Sequence, residues 1–98
     1  MISHIYSHDE LRELIVPMLP HYGMKSAKLF GSYARNEATS TSDIDVLLEG
    51  NPGFSPLNVF AMAEELREKS GKDVDMYELS ELSDGPFRNA VFKDAVQL

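Results

Sequence analysis

The chain contains no cysteine, and this absence excludes three kinds of chemistry. Without thiols there is no disulfide framework, no thiolate metal site and no cysteine nucleophile. The sequence also lacks any apolar run near the roughly 20 residues that a membrane-spanning helix needs. Residues 1–10 lack the basic segment and apolar stretch of a secretion signal. Together these absences predict a cytoplasmic protein with no membrane partner.

Basic side chains are scarce: the chain has 9 Lys and Arg against 16 Asp and Glu, which gives a formal net charge of -7. A broad nucleic-acid surface needs a basic patch to replace counterions, so the composition argues against nucleic acid as a partner. An acidic chain that holds a polyanion must use metal ions or backbone N–H groups locally. The alternative is that the acidic surface serves solubility alone.

The length of 98 residues and the 43% hydrophobic content predict a single domain over residues 1–98 with a small core. Ser7 and Glu10 have the spacing of a capping box at the start of a first helix. Pro17 should kink that helix or end it early. Further helices are expected at about 32–37, at 56–70 with Ser55 as N-cap, and after Ser83 or Asp84. Strands are expected at 26–30, 43–48 and 73–77.

This order of elements predicts an α+β (α/β) fold with a three-stranded mixed sheet. The helix at 57–70 is long enough to cross over between two parallel strands. Helices should cover one face of the sheet, and the other face should carry the site. The helix positions expected to face inward are Val59, Phe60, Ala63 and Leu66, and near the C-terminus Phe87, Ala90 and Val91.

The first candidate for a site is Gly31-Ser32, where a strand passes into a helix. Glycine allows a sharp turn and a close approach by a ligand. A helix start offers free N–H groups that suit a phosphate, and the Ser32 hydroxyl and Arg35 could reach the same group. Taken alone, the pair fits an ordinary strand-to-helix turn with Ser32 as N-cap better than it fits a phosphate site.

Asp43 and Asp45 form the second candidate, two residues apart on a predicted strand. Because strand side chains alternate, both carboxylates should point to one face and Ile44 to the other. Their mutual repulsion would be relieved by a divalent cation such as magnesium, which binds carboxylate and phosphate oxygens. The alternative is a pair of exposed acids at a strand entrance.

Asp75 is the third candidate, between Val74 and Met76 on the next predicted strand. Alternation turns it away from the core, so it could join Asp43 and Asp45 if the two strands are neighbours. Taken alone, Asp75 is also read as a solvated strand residue. The three histidines have no metal-ligand spacing and are expected at the surface: His4, His8 and His21.

Taken together, Gly31-Ser32, ten intervening residues and Asp43-Ile44-Asp45 resemble the signature of the nucleotidyltransferase superfamily related to DNA polymerase beta. Asp75 falls where that family has its third acid. The resemblance covers about residues 10–96, and the length is similar to that of the minimal nucleotidyltransferase (MNT) branch. One departure is Asn36, since glycine often follows the arginine in this family.

The resemblance implies roles for these residues. Gly31, Ser32 and Arg35 would hold the phosphates of a nucleotide, with ATP as substrate. Asp43 and Asp45 would bind magnesium. Asp75 would bind a second magnesium ion or take a proton from the acceptor hydroxyl, so that all three acids count as catalytic and as metal ligands.

The resemblance also implies an activity. Small MNT proteins are similar to the antitoxins that transfer AMP to a tyrosine of a partner HEPN-domain ribonuclease toxin. Two alternatives remain open at this stage. One is a small-molecule nucleotidyltransferase of the aminoglycoside-modifying type, which carries an additional domain. The other is an antitoxin that blocks its partner by binding alone.

Overall fold

A four-stranded mixed sheet organises the chain, in a computed structural model that describes residues 3–98. The strands, in the spatial order β3-β2-β1-β4, are β1 (Met24–Phe30), β2 (Ile44–Gly50), β3 (Val74–Glu78) and β4 (Val96–Gln97). β1 is antiparallel to β2 and β4, whereas β2 and β3 are parallel. The helices are α1 (His8–Ile15), α2 (Gly31–Ala34), α3 (Leu57–Ser70) and α4 (Pro86–Asp94).

The fourth strand corrects the expected count of three. β4 has only two residues, which is too short for any alternation of apolar and polar side chains to show in the sequence. Its existence depends on pairing with Lys28 and Leu29 of β1. The N–H of Leu98 adds a bond of 3.1 Å to the carbonyl of Ala27. β4 therefore covers the edge of β1 and leaves β3 as the opposite edge of the sheet.

The first helix begins at the predicted capping box, and of the two outcomes expected at Pro17 it shows the early end. The hydroxyl of Ser7 accepts the N–H of Glu10 at 3.1 Å, and the carboxylate of Glu10 accepts the N–H of Ser7 at 2.8 Å, which completes the capping box. α1 ends at Ile15, and Pro17 lies in a following 3-10 turn, Val16–Met18. A second 3-10 turn, Pro20–Tyr22, leads to Gly23 and into β1.

α3 crosses over between the parallel strands β2 and β3, as predicted. It packs with α1 on one face of the sheet, over the buried side chains of Ile44, Val46 and Leu48. Its buried stripe is Val59, Met62, Ala63 and Leu66.

Two details of α3 differ from the expectation. Phe60 is 73% exposed, because it lies about 100° around the helix from Val59 and Met62 completes the buried stripe. The helix begins at Leu57 without a side-chain cap from Ser55.

α4 corrects the expectation that all helices lie on one face. It packs on the opposite face, where Val91 joins Phe30, Leu47 and Leu82 in a second apolar cluster. Of the three expected positions, only Val91 is buried, at 2% exposure. Phe87 turns its ring toward Phe30 and Tyr77, with centroids 6.3 and 5.5 Å apart, but stays 52% exposed. Ala90 faces solvent, contrary to the expectation.

The start of α4 also differs from the expectation, since Gly85 takes the N-cap position and neither Ser83 nor Asp84 caps the helix. None of the helices within residues 3–98 has the length and apolar character that a bilayer crossing requires.

Candidate functional site

Asp45 and Asp75 lie side by side on the two parallel strands. They are register partners, so their side chains leave the sheet on the same face, on strands about 4.8 Å apart. The flanking residues Ile44 and Val46 are fully buried in the main core, which fixes the direction of Asp45. The structure therefore brings these two acids together as the sequence predicted.

The environment of Asp45 opposes its ionisation. Partial burial is the largest cause and raises the pKa of Asp45 to about 7, with the negative charges of Asp75 and Asp43 and a hydrogen bond with Asp75 adding to the effect. The positive charge of Arg35 acts in the opposite direction. A cation beside a carboxyl group with such a raised pKa stabilises the ionised form, because it offsets the repulsion that accompanies ionisation.

Asp43 stands just before β2 and is exposed, at the end of a polar loop. Lys72 fixes that loop, since its ammonium group donates to the carbonyl of Ser40 at 2.8 Å. Lys72 is 7% exposed, and its role was not visible in the sequence because it depends on a contact 32 residues away. The N–H of Thr39 also donates to the hydroxyl of Ser42 at 2.8 Å.

The three carboxylates do not form a closed metal cage by themselves. Within residues 3–98, no group of three or more acidic or histidine side chains converges as a ready-made metal site. The close pair of Asp45 and Asp75, with Asp43 adding a third charge, nevertheless offers oxygen ligands of the kind that magnesium takes. Magnesium commonly uses only one or two carboxylates and completes its shell with phosphate oxygens and water, so this donor set fits it.

Gly31 is required by the backbone and by its neighbour. Its φ of +70° lies in the left-handed region, which L side chains rarely adopt. A Cβ atom at this position would also overlap the carboxylate oxygen Oδ2 of Asp45. The sequence predicted a sharp turn and a close approach here, and the structure shows a left-handed turn with the candidate metal ligand Asp45 in close approach.

Arg35 is engaged with acids rather than directed freely at the turn. Its guanidinium donates to Asp94, the last residue of α4, at 2.6 Å, and a weaker contact of 3.4 Å reaches Glu37. These partners raise the pKa of Arg35 further above its ordinary value. The following Asn36 has a φ of 58°, which is the left-handed conformation that glycine would adopt most easily at this position.

The candidate Ser32 is half-buried at the start of the short helix α2. Tyr33 and His8 anchor that helix to the rest of the fold. The side chain of Tyr33 is 2% exposed and packs in the main core. The ring nitrogen Nε2 of His8 lies 2.6 Å from the carbonyl oxygen of Tyr33, as the donor. The expectation of a surface position is therefore wrong for the half-buried His8, whereas His4 and His21 are exposed.

Comparison with known proteins identifies the family to which this site belongs. The family described as nucleotidyltransferase domain matches residues 9–98. The chain belongs to this nucleotidyltransferase family. A candidate protein adenylyltransferase of Methanocaldococcus jannaschii is 47% identical over 68 residues, which are 69% of this chain and 73% of that protein. Protein adenylyltransferase MntA of Thermococcus cleftensis is 34% identical over 78% of this chain and 70% of its own length.

Solved structures share the fold of this nucleotidyltransferase. A candidate minimal nucleotidyltransferase superposes with a TM-score of 0.76 and 28% identity, covering 90% of this chain and 89% of that one. A toxin-antitoxin structure with AMP-PNP gives 0.74 at 23% identity, covering 88% and 70%. The tri-AMPylated HEPN toxin of Shewanella oneidensis with its MNT antitoxin gives 0.63 at 21% identity, covering 91% and 66%.

Proposed function

We propose that this nucleotidyltransferase transfers AMP from ATP to a tyrosine of a HEPN-type ribonuclease toxin and thereby acts as its antitoxin. The observation that carries the proposal is the pair of Asp45 and Asp75, held in register on parallel strands beside the Gly31 turn. The relatives that share this family are named protein adenylyltransferases. A structure of the same fold contains an AMPylated HEPN toxin.

The nucleotide phosphates are assigned to the turn at Gly31, with the hydroxyl of Ser32 as a donor. Binding of AMP-PNP by a toxin-antitoxin pair of the same fold supports ATP as the substrate. Arg35 lies close enough to Asp45 to influence its pKa, so it can also serve phosphates bound beside Asp45. To do so, Arg35 has to exchange its contact with Asp94 for a phosphate oxygen.

Magnesium would be held by three acids, Asp43, Asp45 and Asp75. The family resemblance implies two magnesium ions. Magnesium would supply positive charge that offsets the charge of the phosphates and of the carboxylates. The raised pKa of Asp45 supports this assignment, because the cost of ionising Asp45 disappears when a cation lies beside it.

Asp75 is assigned to the acceptor side, because β3 is the edge strand and Asp75 is the more exposed member of the pair. The tyrosine oxygen attacks the α-phosphorus of ATP, and a bond from that oxygen to phosphorus forms. The bond from the α-phosphorus to the bridging oxygen breaks, and pyrophosphate leaves with the electron pair. The phenolic proton passes to the carboxylate of Asp75, which acts as general base.

The experiment is intact-mass spectrometry of a HEPN partner protein after incubation with this chain, ATP and magnesium. The partner should gain the mass of one AMP or a small multiple of it. The D75N variant should retain most of its affinity for AMP-PNP but lose most of the transfer rate, because a base acts mainly in the transition state. The D84N variant is the control, since Asp84 is a fully exposed acid outside the site.

Two outcomes would reject the proposal. Equal inhibition of the toxin by the wild type and by a triple Asn variant at Asp43, Asp45 and Asp75, with no mass gain, would indicate an antitoxin that acts by binding alone. A mass gain on a small molecule such as an aminoglycoside, with none on the protein, would indicate a small-molecule nucleotidyltransferase.

A further inference from the structure

A groove runs along the outer edge of the sheet and is bordered by the candidate base. It lies between α3 and the edge strand β3 and has a volume of about 320 Å³. Its lining includes Phe60 and Ala63 from the helix and Met76 from the strand, and Asp75 also borders it. We call this feature the β3 groove. Any molecule that occupies it touches the residue that the proposed reaction needs on the acceptor side.

The backbone along the β3 groove is protected at both ends and open in the middle. The N–H of Ile44 donates to the carbonyl of Asp73 at 2.9 Å, so in this parallel ladder Asp73, Asp75 and Tyr77 turn their backbone groups toward β2. The residues between them turn theirs outward.

Side chains occupy two of these outward positions. Arg67 donates to the carbonyl of Val74 at 2.9 Å, and the N–H of Glu78 donates to Glu81 at 3.0 Å. Among residues 3–98, neither a strand nor a side chain pairs with the outward N–H and C=O of Met76. Edge strands with unpaired backbone groups favour the addition of another strand, and here the opening is one residue long.

Phe60 presents a large apolar surface at the same place. It is 73% exposed on α3, whereas Val59 and Met62 beside it on the helix are buried. Exposed aromatic side chains beside a groove are typical of protein contacts, in which they act as anchors. The groove also contains the acids Asp75 and Glu81, and its one arginine already binds Glu64 and the Val74 carbonyl. These charges and contacts favour a polypeptide over a polyphosphate.

The position of the β3 groove separates it from the proposed nucleotide site. In the order β3-β2-β1, Asp75 lies at the edge, Asp45 lies in the next strand, and Gly31 follows the end of β1. The phosphates assigned to the Gly31 turn therefore approach Asp45 from one side, and the β3 groove opens on the other. An acceptor that enters from the groove meets the α-phosphate across the pair of carboxylates.

We propose that the β3 groove binds an extended segment of the acceptor protein that contains the tyrosine to be modified. One residue of the segment pairs with the backbone of Met76 and places an apolar side chain against Phe60 and Ala63. Because side chains alternate along an extended chain, the tyrosine next to that residue faces Asp75. The proposal rests on the proposed function and deepens it, since it selects acceptor tyrosines that have an apolar neighbour.

The test compares one phenylalanine and one leucine on the same helix. Phe60 and Leu57 are both 73% exposed on α3, but only Phe60 lines the β3 groove. The full chain is prepared as wild type, F60A and L57A, and folding is checked by thermal unfolding. Initial rates of AMP transfer to a HEPN partner protein are measured against partner and ATP concentrations, and AMP-PNP affinity is measured by calorimetry.

The F60A variant should raise the KM for the partner about fivefold or more, as expected for an aromatic anchor. Its KM for ATP and its AMP-PNP affinity should stay at the wild-type values, and L57A should leave every parameter unchanged. If F60A transfers AMP at the wild-type rate with an unaltered KM for the partner, the groove proposal is overturned and the proposed function stands. Equal losses in F60A and L57A would overturn the groove proposal as well. Absence of transfer by the wild type would overturn the proposed function and the groove together.

Discussion

The repulsion at Asp45 predicts that removing its charge stabilises the metal-free protein. In D45N the amide has nearly the shape of the protonated carboxyl group but cannot ionise. The side chain is partly buried and faces the carboxylates of Asp75 and Asp43, so the wild-type chain loses stability whenever Asp45 is charged. A residue that serves catalysis or metal binding would show this trade between stability and function.

The structure gives the size and the pH dependence of this effect. With a pKa raised from 3.8 to about 7, ionisation of Asp45 in the folded state would cost about 4 kcal/mol without screening, at about 1.4 kcal/mol per tenfold change in the protonation equilibrium. Because the side chain is partly exposed, solvent and salt reduce this to about 1–2 kcal/mol. The folded state binds the proton more tightly than the unfolded state, so wild-type stability falls as pH rises from about 4 to about 7 and is level above that.

Thermal unfolding followed by circular dichroism in EDTA would measure the effect. At pH 8 the D45N variant should melt about 5–10 °C above the wild type, since 1 kcal/mol corresponds to about 4–8 °C in a domain of this size. At about pH 3.5 the two proteins should melt almost together, because Asp45 then holds its proton in the folded state and largely in the unfolded state as well. The D84N variant, which alters a fully exposed acid, should match the wild type at both pH values. A D45N protein that is less stable than the wild type at pH 8 would show that the charge of Asp45 does not destabilise the fold.

Two further predictions concern the Gly31 turn and the Arg35 contact. Gly31 and Gly53 both have positive φ values, +70° and +80°, but a Cβ overlaps Asp45 only at Gly31. G31A should therefore lower the free energy of unfolding by about 1–3 kcal/mol in urea and abolish most AMP-PNP binding, while G53A loses only the cost of backbone strain. Equal losses of stability in the two variants would contradict this prediction. D94N removes the ion pair that holds Arg35 and should tighten AMP-PNP binding, by up to about fivefold in calorimetry. Unchanged or weaker binding would count against a phosphate role for Arg35.

The alternation of side chains made much of the site predictable from the sequence. Asp45 lies between Ile44 and Val46, so the burial of those two residues determines the face on which the carboxylate stands. The same pattern places Asp75 relative to Val74. The length of α3 allowed a parallel crossover, and the structure shows that this crossover joins the two neighbouring strands. The roles assigned to these residues in binding and catalysis stay predictions.

The features that the sequence did not reveal depend on contacts between distant segments. Arg35 meets Asp94 across 59 residues, and Lys72 reaches the carbonyl of Ser40 across 32 residues. Neither pair has a local pattern. Phe60 has a helical spacing that is compatible with burial, and only the position of α3 on the sheet decides that it faces outward.

The parallel pairing of β2 with β3 makes the candidate site sensitive to a change of chain length in one segment and tolerant of it in another. The segment Gly71 to Asp73 connects α3 to β3 directly, so a deletion of one residue there would move Asp75 to the opposite face of the sheet and place an apolar side chain beside Asp45. The turn at Asn51 to Gly53 lies before α3 and is exposed, so extra residues inserted there would loop out into solvent. Natural variation in length among such enzymes is therefore expected before the crossover helix and excluded after it.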